Sequence, residues 1–164
     1  MNRIGLLVVG LVVLVCAFFV TDWILSMNKS LNWKFTDEAS LDAAANTAGY
    51  HKSNDLGGHV DSVRRLDGGH VRADGWAADI TGDGSPIAID IYAGGRDVAA
   101  LRTDGPRADV TAALKANLKA SVSSSKNTKF TSDFECPTGE KLFVVASTTT
   151  KGYALLGPQP LLCP

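Results

Sequence analysis

Residues 59–79 read HVDSVRRLDGGHVRADGWAAD. Two runs rich in strand-forming residues, 59–66 and 70–79, flank Asp67-Gly68-Gly69, and such a spacing signals a β-hairpin because a tight turn needs backbone conformations that glycine adopts without steric cost. Outward from this hairpin the same grammar repeats. Residues 86–93 (PIAIDIYA) alternate Ile87, Ile89 and Ile91 on one face with Ala88, Asp90 and Tyr92 on the other, the period of two of a strand. Residues 97–102 read as its partner across Gly94-Gly95, and 128–136, 141–148 and 152–156 supply three more strands. One helix interrupts them over 110–120, with Asp109 placed to cap it and Val110, Leu114 and Leu118 near one face; the SVSSSKNT that follows reads as a surface loop. About seven strands in roughly a hundred residues predict a mainly β fold, an immunoglobulin-like β-sandwich with one short helix.

Upstream lies a different solvent preference. Residues 4–20 (IGLLVVGLVVLVCAFFV) carry no charge, and as a helix they would cover roughly 25 Å. Continuation through Trp23, Ile24 and Leu25 reaches the roughly 30 Å of a hydrocarbon core, so a single transmembrane helix is expected. Ile4, Leu7, Leu11, Leu14 and Phe18 then meet membrane lipid and Trp23 falls at the far interface. Arg3 and the amino terminus are the only charges ahead of the run, which places the N-terminus in the cytoplasm and the rest outside a bacterial-type inner membrane, in the periplasm. A cleaved secretion signal is the rival. Against it, the run is longer than the usual core of such a signal, roughly 7–15 residues, and Phe18, Phe19, Thr21, Asp22 and Trp23 make a poor cleavage site. Lipoprotein processing at Cys16 would have to accept bulky Val15 before it.

The expected plan is therefore an anchor over 1–25, a polar connector over 26–56 and an extracytoplasmic sandwich over 57–164. Within the connector only residues 36–45 (TDEASLDAAA) look helical, with Thr36 or Asp37 able to cap, and the segment is expected to space the domain from the bilayer. Charge is balanced, 16 Lys plus Arg against 17 Asp plus Glu, and it is spread evenly, which excludes the clustered positive surface that nucleic acid requires. Cys136 and Cys163 fall in the part placed outside the cytoplasm, where an oxidising compartment favours pairing them; a bridge over a loop of this size contributes about 3 kcal/mol.

Candidate chemistry is sparse. Trp76 sits among small residues, as a core side chain or, if exposed, a sugar-stacking platform; the core reading is preferred. Arg107 and Asp109 could clamp a ligand, but a structural pair is preferred, with Asp109 capping the helix and Arg107 bracing a strand; Asp61 beside Arg64 and Arg65 has the same reading. Residues 79–85 resemble the start of a calcium loop, with Asp90 at the twelfth position, yet Thr81 and Ile87 are weak at ligand positions, Pro86 stiffens the loop and strands flank it, so a Gly-rich connection is expected. His51, His59 and His70 share no zinc-like spacing with Cys or carboxylates, and Ser123 to Ser125 lack a strand–turn–helix elbow. No metal, cofactor or catalytic constellation is expected, and a non-enzyme is favoured over a small hydrolase or transferase.

Several spaced motifs resemble a small module of bacterial envelope-associated proteins, often appended to glycosyltransferases and other glycan-handling enzymes. They are Gly58, Val60 and Asp61; Gly75, Trp76, Ala77 and Asp79; Arg107, Asp109 and Val110; Phe134, Cys136 and Pro137; and the apolar run 144–146. The resemblance spans about 57–156; it departs at Ala108, where the family often has Pro, and in a longer loop before Thr128. It implies a β-sandwich with a binding or structural role and transfers no catalytic residue. Two functions follow: an accessory subunit that braces partner proteins of a larger membrane assembly, with Gly5 and Gly10 permitting close helix packing, or a tethered module that binds envelope glycan.

Overall fold

A computed structural model of the protein describes residues 31–116, 124–158 and 160–164. The elements run α1 (Glu38–Thr47), β1 (His51–Lys52), β2 (Leu56–Arg65), β3 (His70–Asp79), β4 (Ala88–Ala93), β5 (Arg96–Arg102), α2 (Ala108–Ala116), β6 (Lys129–Glu135), β7 (Lys141–Ser147), β8 (Gly152–Leu155) and β9 (Leu161–Leu162). The hairpin expected over 59–79 is β2 and β3, paired antiparallel from Leu56–Asp79 to Arg65–Val71 and joined through Gly68 and Gly69, both at positive φ. β6 joins the far side of β3 to complete one sheet, β2-β3-β6. The other runs β1-β8-β7-β4-β5, with β9 also paired to β7.

The two sheets form a β-sandwich because each supplies an apolar face to the other. Val60, Val71, Ala73, Ala77, Phe130 and Phe134 from the smaller sheet pack against Ile89, Ile91, Leu142, Val144, Ala146 and Leu156. Gly75 is required where it stands, since a Cβ there would lie 2.5 Å from the Phe130 ring and 2.4 Å from the His59 carbonyl oxygen. At one corner Thr103 ties the sheets: its Oγ1 accepts from Ile87 N at 2.9 Å and donates to the Asn127 carbonyl at 3.0 Å.

The larger sheet is buried on both faces. Its outer side chains Tyr92, Phe143, Val145 and Tyr153 are covered by Trp33, Phe35, Leu41 and Ala45. Residues within 26–56, expected as a polar spacer, thus supply a third layer. An extended strap, residues 31–37, lies along the sheet: Leu31 N donates to Asp90 Oδ1 at 3.1 Å and Trp33 N to the Tyr92 hydroxyl at 3.4 Å. Edge-to-face rings close this layer, Trp33 on Tyr50 at 5.1 Å and on Tyr153 at 5.7 Å, Phe35 on Phe143 at 5.3 Å. Asp37 caps α1 through a reciprocal pair with Ser40, and the chain then enters the sheet as β1, parallel to β8. A polar composition hid this because only alternate residues of the strap and one stripe of α1 are apolar, while the uncovered sheet face behind them demands burial.

The anchor residues Ile4, Leu7, Leu11, Leu14, Phe18 and Trp23 lie outside the described residues. Among the described residues no helix is long and apolar enough to cross a membrane. Cys136, just after β6, and Cys163, just after β9, form a disulfide, both side chains being buried. The bridge links the two sheets.

Candidate functional site

Among the described residues, polar chemistry gathers on each outer face. The first is the outer face of the smaller sheet, where α2 docks. Trp76 projects outward from β3, between His59 of β2 and Lys129 of β6, and packs half-buried against Ala78, Val110 and Leu114. It therefore belongs to a small satellite cluster beneath α2, not to the core between the sheets where the sequence reading put it. The reason is register: Val71, Ala73, Gly75 and Ala77 take the inward positions, so Trp76 must face out.

Arg107 locks α2 over this cluster. Its guanidinium pairs with Asp109 at 2.5 Å and with Asp61, and its backbone N–H donates to Thr128 Oγ1 at 3.2 Å. Asp61 is the extra residue of a β-bulge in β2, between Val60 and Ser62, which turns its carboxylate toward α2. Both carboxylates hold the Arg107 charge, and the Asp109 carboxyl is held below its ordinary value first by the hydrogen bond from Arg107. Asp109 was expected to cap the helix; α2 begins at Ala108, so Asp109 lies inside the first turn and faces Arg107. Three motifs far apart in the chain, around Asp61, Trp76 and Arg107, thus meet at one latch. Asp79 stands apart at the end of β3, where Oδ1 accepts from Thr81 N at 3.1 Å and braces its own turn. Asp83 does the same for Ser85 N at 2.8 Å. Farther along this face, Arg72 and Asp133 form a two-pronged pair at 2.6 Å.

The second region is an open groove of about 670 Å³ between the strap and the β4–β5 turn, lined by Lys34, Thr36, Ser40 and the turn residues Gly94, Gly95, Arg96 and Asp97. Gly94 and Gly95 both have positive φ, and a Cβ on Gly95 would meet the Phe35 carbonyl oxygen at 2.8 Å, so glycine lets the turn press against the strap. Asp97 is half-buried in the groove wall: burial pushes its carboxyl up against the pull of the Ala99 backbone, and Oδ2 has no hydrogen-bond partner among the described residues. Gly94-Gly95 was read only as a turn, and its closeness to Lys34 is a product of tertiary packing.

Among the described residues no three His, Cys, Asp or Glu side chains cluster to hold a metal. His51, His59 and His70 lie on separate strands and are exposed. Comparison with protein-family models, curated proteins and solved structures found no match for this chain.

Proposed function

We propose that this chain is a non-catalytic accessory subunit of a membrane assembly, held by its N-terminal apolar run in a bacterial inner membrane with the sandwich in the periplasm. The observation that carries the reading is the strap. Chain that follows the apolar run is not a loose tether at Leu31; it is hydrogen-bonded to Asp90 and Tyr92 and buried through Trp33 and Phe35. A domain ordered from six residues beyond its anchor stays close to the bilayer, which suits bracing neighbouring proteins better than searching for a ligand. The buried Cys136–Cys163 disulfide fits an oxidising compartment outside the cytoplasm.

The strand order supports an immunoglobulin-like reading. β2-β3-β6 opposed to β8-β7-β4-β5 corresponds to strands A-B-E against G-F-C-C′ of such sandwiches, with α2 in the connection before E. Trp76, packed under α2, and Trp33, a strap residue packed against the larger sheet, serve as structural rings rather than as open stacking platforms.

The test is extraction in a mild detergent followed by native sizing and identification of companions. Co-purification with membrane proteins in a fixed ratio is expected. A lone species of 17.3 kDa that binds polysaccharide would replace this reading with that of a tethered glycan-binding module.

A further inference from the structure

Among the described residues most arginines are answered, whereas of the lysines only Lys52 is ion-paired. Arg64, Arg65, Arg72, Arg102 and Arg107 each have a polar partner among the described residues. Arg96 does not: its side chain, like that of Lys34, makes no hydrogen bond or ion pair among the described residues, and both line the groove between the strap and the β4–β5 turn. In the same wall Asp97 keeps one carboxylate oxygen buried and without a donor. Two cations without a partner among the described residues and one carboxylate oxygen without a donor, around a single opening, suit a zwitterion.

Position selects among zwitterions. From Leu25, the end of the apolar run, to Leu31, where the strap begins, is six residues, so the groove's strap lies within about 20 Å of that end. That reach includes the headgroup layer, which is roughly 5–8 Å deep on each side of the bilayer. We propose that the groove holds the headgroup of an amine-bearing phospholipid, with its phosphate against Lys34 and Arg96 and its primary ammonium donating to Asp97. This rests on the tethered reading. A choline headgroup offers the same phosphate and charge but no N–H, so it leaves the Asp97 oxygen unanswered and binds less well.

The experiment uses the full-length chain in dodecyl maltoside micelles, following backbone amide resonances of the β4–β5 turn. It is titrated in turn with glycerophosphoethanolamine, glycerophosphocholine and inorganic phosphate. Saturable shifts at Gly94, Gly95 and Asp97 are expected for the ethanolamine compound, with roughly ten-fold weaker binding of the choline compound from loss of one charge-assisted hydrogen bond. Arg96→Ala should weaken both compounds, and Asp97→Asn should abolish the preference for ethanolamine while phosphate-driven binding survives. Equal affinity for the two headgroups, equal affinity for phosphate alone, or no shift at the turn overturns the proposal. Because the titrants are water-soluble, the outcome is separable from the tether: release of the chain from membranes by an alkaline carbonate wash would count against the anchor, whatever the titration gives.

Discussion

At position 97 a carboxylate oxygen is buried without a donor, and the folded protein bears that cost whenever the group is ionised. Burial raises the Asp97 carboxyl, so the folded state binds its proton more tightly than the unfolded chain does. The penalty therefore appears as pH rises through the ordinary carboxylate value of about 4 and persists above it. Asp97→Asn should raise the urea midpoint at neutral pH, with the advantage over the parent shrinking below about pH 4; a lowered midpoint at pH 7 would refute this. Asp133 has the opposite sign. The hydrogen bond from Arg72 holds its carboxyl below the usual value, so its contribution is present above about pH 4 and is lost as pH falls through the depressed value. Arg72→Gln should make the acid decline in stability shallower, measured by unfolding at stepped pH. Arg107 works through neighbours on two elements, and Arg107→Ala should cost about 1–2 kcal/mol and speed amide exchange across α2 more than across β7.

At the scale of elements, the strands were legible because alternation and glycine turns are written locally: the hairpin at 59–79 and the strand at 141–147 need nothing from afar to be seen. The third layer was not. Trp33 and Phe35 sit alone in a polar stretch, and α1 buries only Leu41 and Ala45. The clue lay elsewhere, in the nearly unbroken apolar run Leu142 to Ala146, since a strand apolar on both sides must be covered on both. Trp76 was misplaced for the reverse reason: local pattern gives the period of a strand, whereas which phase faces the core depends on its partner sheet. Arg107 was legible as a partner of Asp109, but its pairing with Asp61, which the sequence sets beside Arg64 and Arg65, depends on a bulge that local pattern does not show. Trp33→Ala should cost about 3–5 kcal/mol, as expected for a buried ring packed against Tyr50 and Tyr153, and urea unfolding would measure it. Replacing Cys136 and Cys163 together by Ser should cost about 3–4 kcal/mol, since the bridge closes a separation of 27 residues.

Taken whole, the molecule is a stack: α2 on the smaller sheet, the sandwich core, then the strap and α1 on the larger sheet. Trp33 and Trp76 occupy opposite outer faces, which makes them independent reporters of the two ends of the stack. With Trp23 changed to Phe as well, variants keeping only Trp33 or only Trp76 should show coincident unfolding midpoints by indole fluorescence if the layers melt as one cooperative unit. A separated transition at Trp33 would mean that the strap layer detaches first.

The strap also determines where a pull would be felt. Its backbone is fastened to Asp90 and Tyr92 of β4, and β4 is flanked by β5 and β7. Tension arriving from the N-terminal side would therefore be delivered to an interior strand and shared between two ladders, instead of peeling an edge strand one bond at a time. A domain wired in this manner is suited to carry mechanical load entering through its N-terminal strap.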